Sequence, residues 1–341
     1  MAEITVAPVQ DKMEWERFVT DHPEANFLHS WQWGTFNERL GRQVERVGIY
    51  KDSALKGVIL GVVIPARRGR HIVEAGGPIL DWADREVVEA WTSELRRLAR
   101  KHRCSFVRVR PQLEETEESV RLFKKLGFKP APMHVTADLT HQLHLPKTDE
   151  ELKKGMRKGT RYEINRAQKL GIQVEIVNDD EHLNEFVELQ METAMRQKFV
   201  PFTAPFLKEQ FKAFLEDGNV SLYRASHEGN LLAYAFIIFY GQEAAYHYGA
   251  SAELARTIPG AYAIQWQAIH DAQKRGCSRY NFWGVAEHGQ TQHRFYGVSV
   301  FKRGFGGEDV AYLHAQDLIC SPVKYAPTYV FETIRRKKRK L

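Results

Sequence analysis

Two periods of apolar and polar residues run through this chain and divide it into strands and helices. Short apolar or alternating runs predict strands over residues 4–9, 44–50, 58–65, 105–110, 135–139, 172–177, 222–225, 231–240, 244–251 and 280–285. Three- and four-residue spacing predicts helices over 12–20, 86–102, 149–170, 181–196, 205–216 and 261–275. In the second of these, Val88, Trp91, Leu95, Leu98 and Ala99 form one buried face. Thr148 with Glu151 is a capping box that opens the third. After the last strand come a polar loop, 286–292, and a short amphipathic turn or helix, 293–298. Phe301 and Lys302 then stand at a glycine-rich exit.

Part of this pattern occurs twice. Residues 101–108 (KHRCSFVR) close a helix and open a strand, and 274–281 (KRGCSRYN) do the same 173 residues later. An aromatic-glycine phrase follows each: Leu122-Phe123-Lys124-Lys125-Leu126-Gly127-Phe128, then Val300-Phe301-Lys302-Arg303-Gly304-Phe305-Gly306. Such a repeat marks duplication of one α+β unit. In the second half, helices precede a three-stranded meander, which leads to helix, strand, helix and strand. That order belongs to acyltransferase domains of the N-acetyltransferase superfamily. The expected fold class is therefore α+β, a tandem duplication of a GNAT-like domain. A length of 341 residues accommodates two domains of ~100–200 residues each.

Composition excludes more than it identifies. Hydrophobic residues at 43% and charged residues at 27% suit a globular chain and argue against disorder. The longest apolar runs, 58–66 and 231–239, fall well short of the ~20 residues of a membrane-crossing helix. The first residues lack the apolar core of a signal peptide, so a cytoplasmic protein is expected. Cys104, Cys277 and Cys320 are dispersed, with no Cys/His cluster at ligand spacing, which predicts neither a disulfide framework nor a metal site. The net charge of +6 resides in Arg335, Arg336, Lys337, Lys338, Arg339 and Lys340; without them 43 basic residues balance 43 acidic ones. That tail reads either as a solvated end or as a contact for anionic lipid or RNA.

Three stretches carry candidate chemistry. Residues 280–307 end a strand in a loop and place Lys302 among glycines, where backbone approaches a ligand closely; the alternative is a buried strand followed by a solvated lysine. Lys153, Lys154, Arg157, Lys158, Arg161, Arg166 and Lys169 form a nearly one-signed row, which favours a phosphate-bearing partner over a solvated face. Trp31 and Trp33 each require packing or a ligand. His288 and His293 have no paired carboxylate in sequence and are weak candidates for a base.

Several phrases recur in consistent order: Trp31-Gln32-Trp33-Gly34, Gly76-Gly77-Pro78, the basic segment 145–167, Tyr246-His247-Tyr248-Gly249-Ala250-Ser251, and Phe282-Trp283-Gly284-Val285 with Phe301-Lys302. Together they resemble the Fem family (FemABX), peptidoglycan-bridge aminoacyltransferases that use aminoacyl-tRNA. The basic segment is the most specific part of a resemblance that spans nearly the whole chain. It implies a first domain over 1–144, a second over 145–316 with the catalytic site, a segment 317–333 returning to the first, and a basic tail, 334–341. Between Gly171 and Pro205 there is no room for the helical arm of the family's long members. Where relatives that bind a nucleotide-linked precursor use basic and tyrosine residues, this chain has Thr35, Phe202 and Phe206, and only Tyr248 is retained. The acceptor therefore stays open between lipid II, a UDP-MurNAc-peptide and another amine.

The resemblance implies transfer of an amino acid from aminoacyl-tRNA, an activated ester, to a diamino-acid side chain of the precursor. Positioning and charge stabilisation suffice for such a reaction. By resemblance Lys302 and Phe301 are catalytic, and Tyr248, Trp31, Trp33, Arg157, Lys158 and Arg161 bind substrates. No metal or cofactor is implied beyond aminoacyl-tRNA as co-substrate. A monomer is expected, with the basic tail, residues 335–340, as the place of a peripheral contact with the anionic inner face of the plasma membrane. Two other classes remain open. An acyl-CoA N-acyltransferase would need an R/Q-x-x-G-x-G/A loop, but Arg256-Thr257-Ile258-Pro259-Gly260-Ala261 has proline at the first glycine and loses a donor there. A non-catalytic RNA- or membrane-binding module would use the basic helix and tail alone.

Overall fold

A computed structural model describes residues 3–66, 69–145, 148–197 and 200–339. Pro146 and Lys147 of the basic segment, and Lys340 and Leu341 of the tail, lie outside the described residues. The chain opens with β1 (Ile4–Pro8), α1 (Lys12–Thr20), α2 (Trp31–Arg39), β2 (Gln43–Lys51), β3 (Ala54–Ile64), β4 (His71–Ala75) and β5 (Ile79–Leu80). Then come α3 (Arg85–Lys101), β6 (Phe106–Arg110), α4 (Glu117–Lys125), β7 (Lys129–Pro130) and β8 (Leu139–His144). Next are α5 (Asp149–Gly155), α6 (Lys158–Lys169), β9 (Gln173–Ile176), α7 (Asp180–Gln197), α8 (Ala204–Leu215), β10 (Val220–His227) and β11 (Asn230–Tyr240). The chain closes with β12 (Glu243–Ser251), α9 (Gly260–Lys274), β13 (Arg279–Gly284), α10 (Tyr296–Arg303), β14 (Glu308–Ala311), β15 (Gln316–Ile319) and α11 (Pro322–Arg339).

These elements form two compact units. One comprises the chain up to Asp138 together with the part from Ala311 onward; the other runs from Leu139 to Val310. The first sheet has the order β1-β2-β3-β4-β6-β15-β7, with β5 beside β3, and the second β9-β10-β11-β12-β13-β8-β14. Position by position the sheets match. Each is an antiparallel meander followed by one parallel pair, β4 with β6 and β12 with β13. The parallel pairs are bridged by α3 and α9, and these crossings are the repeated segments at 101–108 and 274–281.

Beyond the parallel pair each sheet takes in a strand from the other half of the sequence. β15, which follows the second unit, lies between β6 and β7; β8, which follows β7, lies between β13 and β14. This corrects the strand expected over 135–139. The strand is Leu139–His144 and pairs with β13 through Leu143 opposite Tyr280, so it belongs to the second sheet and the division falls before residue 145. The lack of alternation explains the misplacement: Leu139, Leu143 and Leu145 give only a weak strand signal around polar Thr140, His141 and Gln142, all three of which are buried.

The helix expected over 149–170 is also corrected. Thr148 and Glu151 form their capping box, but the helix stops after Gly155 and restarts at Lys158, with Met156 and Arg157 extended. Other groups satisfy the backbone at this break. The Arg157 N–H donates to the Gly304 carbonyl at 2.9 Å, and the Arg161 guanidinium donates to the Lys153 carbonyl at 3.0 Å and the Met156 carbonyl at 2.5 Å. Among the described residues no helix is long and apolar enough to cross a membrane.

Candidate active site

The two parallel pairs differ where it matters. β4 and β6 stay paired over all five residues, from His71 with Phe106 to Ala75 with Arg110. β12 and β13 pair only at Glu243–Arg279, Ala244–Tyr280 and Ala245–Asn281. On β12 the cause is a bulge: Ile237 pairs with Tyr246 and Phe236 with Tyr248, so His247 is one residue too many. On β13 Trp283 adopts a φ of 65°, uncommon for a bulky side chain, with its N–H donating to Asn281 Oδ1 at 2.8 Å. Beyond Ala245 and Asn281 these two strands no longer pair with each other, and a cavity of about 430 Å³ lies along β12, lined by Tyr246, His247, Tyr248, Tyr262, Arg294, Phe301 and Lys302 among others.

Lys302 is the one cation buried in this lining. It is 8% exposed, and its Nζ donates to the Gly284 carbonyl at 2.7 Å, at the end of β13. The nitrogen also lies 5.7 Å from the centre of the Tyr246 ring. A carbonyl and a ring face cannot neutralise an ammonium as a carboxylate does, and burial pushes the amine down to about 7. Burial, with Lys302 as the lesser cause, holds His247 down to about 3, so its imidazole is neutral. The Tyr246 hydroxyl is pushed up to about 12 by burial. It sits over Gly249, where a Cβ would lie 1.8 Å from the oxygen; no other residue type fits there without moving it.

The sequence expectation put Phe301 and Lys302 on a strand exit after a helix at 293–298. They lie instead on the last turn of α10, Tyr296–Arg303. Ser299 anchors this helix, accepting the Ala286 N–H and donating to the Phe295 carbonyl, both at 2.8 Å. The equivalent phrase in the first half is helical too, so element type does not distinguish the copies. Burial does: Lys124 is exposed, while Lys302 is enclosed. Phe301 lines the cavity and meets the Tyr262 ring edge-on at 4.9 Å.

Of the other expected residues, Tyr248 also lines the cavity, but its hydroxyl donates to Gln210 Oε1 at 3.1 Å. Phe202 stacks on Phe206 at 4.6 Å and meets Tyr248 edge-on at 5.5 Å, an apolar cluster. Arg157 lines a second cavity of about 270 Å³ with Glu287, His288 and Arg303, on the opposite face of α10. Arg157 and Lys158 are exposed; Arg161 is committed to the helix break, Lys153 lies 5.3 Å from the Trp266 ring, and Arg166 donates to the Thr257 carbonyl. The one-signed row thus dissolves into four exposed cations, Lys154, Arg157, Lys158 and Lys169.

Trp31 and Trp33 belong to the first unit. The Arg46 guanidinium covers Trp31 at 4.2 Å, and Trp33 packs on Phe27 and Phe36. Their surroundings are those of packed side chains. Thr35 lies on the same helix and donates to the Trp31 carbonyl at 3.3 Å. His288 is exposed, 3.3 Å from Asp309, and His293 accepts the Phe295 N–H; neither lines the cavity of Lys302.

Sequence reasoning did not select Tyr246, Tyr262, Trp283 or Gly284 as site residues. Three of them stand in the YHYGAS and FWGV phrases, and the glycine in each phrase was the available signal. Tyr262 had none, being one aromatic on an ordinary helix.

Comparison with known proteins agrees with this architecture. A lipid II:glycine glycyltransferase of Staphylococcus epidermidis is 22% identical, over 85% of this chain and 87% of the relative. One of Staphylococcus aureus is 20% identical, over 86% and 88%. The crystal structure of FemX superposes with a TM-score of 0.86 at 19% identity, covering 96% of this chain and all of that one. A tandem GNAT protein from the clavulanic acid biosynthesis pathway gives 0.59 at 12% identity, over 94% and 99%. At such identities the structural likenesses establish the fold alone, a tandem GNAT-like duplication. The FemAB family model matches residues 11–228 and 222–333, so this chain belongs to the FemAB family.

Proposed function

We propose that the second unit transfers an aminoacyl group from aminoacyl-tRNA to the side-chain amine of a diamino acid in a peptidoglycan precursor, building an interpeptide bridge. The observation that carries this reading is the buried Lys302 amine, poised near 7 on a neutral carbonyl where β12 and β13 part. Family membership supports the reaction class, and relatives named for lipid II support a lipid-linked acceptor.

In this reading the deprotonated acceptor amine attacks the ester carbonyl carbon. The new C–N bond forms as the carbonyl π electrons move to oxygen. The Lys302 ammonium stabilises that oxyanion in a site where water does not screen it. The attacking nitrogen gives up its extra proton as collapse breaks the C–O bond to the ribose, and that proton passes to the departing oxygen, which leaves as a hydroxyl. Phe301, held by Tyr262, presents a flat apolar wall for the terminal adenosine. Tyr246, fixed over Gly249, supports the lysine from below. Arg157 and Lys158 are the exposed cations assigned to tRNA phosphates.

The test incubates the protein with a pool of charged tRNAs and lipid II and reads the mass added to the precursor. An increment of one or more amino acids, lost in Lys302→Met, is the expected result. No increment with any charged tRNA overturns the reading.

A further inference from the structure

α11 is held to the first unit by its polar side. The Tyr325 hydroxyl donates to Asp317 Oδ2 at 2.7 Å, and Arg108 bridges Asp317 at 2.7 Å and Glu332 at 2.8 Å. Tyr325 and Thr328 are buried and Glu332 is partly so; they recur at three- and four-residue spacing and cover one side of the helix. The opposite side carries Val323, Pro327, Val330 and Ile334 at the same spacing. Val323 is 86% exposed, Val330 56% and Ile334 59%. An ordinary surface helix buries its apolar stripe and wets its polar side, whereas α11 does the reverse. The stripe runs ~16 Å along the axis at 1.5 Å per residue. Exposed Lys324, Arg335, Lys337 and Lys338 border it, in a chain whose charges otherwise balance.

We propose that this face of α11 rests on an anionic lipid surface, with the helix in the plane of the interface. The aliphatic stripe would enter the boundary between headgroups and acyl chains while the bordering cations meet lipid phosphates. Charge complementarity selects this occupant. A second copy packed stripe to stripe would bury the valines and isoleucine but give the bordering cations no counter-charge, and an RNA would satisfy the cations but leave the valines and isoleucine in water. Neither the stripe nor the cations alone gives more than weak, reversible membrane binding; together they supply the two signals that stable attachment needs. Membrane binding by α11 does not depend on the reaction at Lys302.

The test sediments the full chain with vesicles of phosphatidylglycerol and phosphatidylcholine, and with phosphatidylcholine alone, at physiological salt. Binding to the anionic vesicles only is expected. Val330→Asp with Ile334→Asp changes solvent-facing positions, so the thermal melt should be unchanged while partitioning falls at least ~10-fold. Lys337→Gln with Lys338→Gln should lower it about 30-fold, and added salt should weaken wild-type binding. Three results would overturn the proposal. One is wild-type sedimentation by the double aspartate variant. Another is tRNA binding that persists in that variant with no vesicle binding by either protein. The third is a concentration-dependent dimer, dissolved by the aspartates, in a protein that ignores vesicles.

Discussion

Lys302→Met keeps the apolar stem and removes the amine, which makes it a test of both the electrostatics and the chemistry. In the unfolded chain the amine titrates near its ordinary value of 10.5, and in the fold near 7. Below pH 7 both states hold the proton, and the fold bears the full cost of the buried charge. Between 7 and 10.5 the folded protein releases a proton that the unfolded chain retains, so stability rises with pH across that window. From pH 7 to pH 9, allowing for half-titration at the start, the gain is about 2–3 kcal/mol at ~1.36 kcal/mol per pH unit. The methionine variant lacks this gradient. It also strands the Gly284 carbonyl, a cost of ~1–3 kcal/mol that does not vary with pH and drops out of the slope. Guanidinium unfolding of both proteins at pH 6, 7, 8 and 9 reads the difference on the transition that the substitution moves. Parallel profiles would refute the buried, depressed amine. The same variant should lose at least ~10²-fold in transfer, and full activity would remove Lys302 from the mechanism.

Three further outcomes follow from the same geometry. Gly249→Ala puts a methyl group 1.8 Å from the Tyr246 oxygen, so transfer should fall at least ~10-fold, with partial recovery when Tyr246→Phe is added; normal rates in the single variant would show that Tyr246 is not needed where it sits. If the ammonium of Lys302 acts on a free amine of ordinary pKa, single-turnover rates should rise tenfold per pH unit up to about 7 and then flatten. Continued rise through pH 9 would mean that the protonated lysine is dispensable. Arg157→Ala with Lys158→Ala should raise KM for charged tRNA, leave kcat near wild type and reduce the salt slope by ~1–2, whereas an unchanged slope would place the tRNA elsewhere.

Much of the fold was legible because it repeats. The phrases at 101–108 and 274–281 mark the same helix-to-strand crossing, and the two parallel pairs they lead into occupy equivalent places in the two sheets. The strand at 139–144 was not legible. Its buried residues include Thr140, His141 and Gln142, whose partners come from 306–309 and from within the strand: His141 bonds to Asp309 and to the Gly306 carbonyl. A polar strand buried by contacts about 165 residues away carries no alternating signature. The break at Met156 was hidden for a related reason. Helical periodicity continues straight through it, and the group that replaces the lost helical bonds, Arg161, looks from sequence like one more basic residue on a polar face.

The duplication also shows how the two halves differ at this place in the fold. Both sheets bring a parallel pair together under a crossing helix, so the scaffold alone provides two equivalent places for chemistry. In the first, five consecutive pairs close β4 onto β6, and the carboxylate there, Glu74, is fully buried, bonded to Trp91 and pushed up to about 8 by burial. A neutral acid locked under an indole belongs to the packing of this unit. In the second, one extra residue, His247, and one left-handed residue, Trp283, open the strands after the third pair. The Gly284 carbonyl freed from the ladder becomes the partner that holds Lys302. The cost of a bulge and of a positive φ at tryptophan is thus the cost of a strand end released from β12, and that strand end is what positions a buried amine beside a cavity.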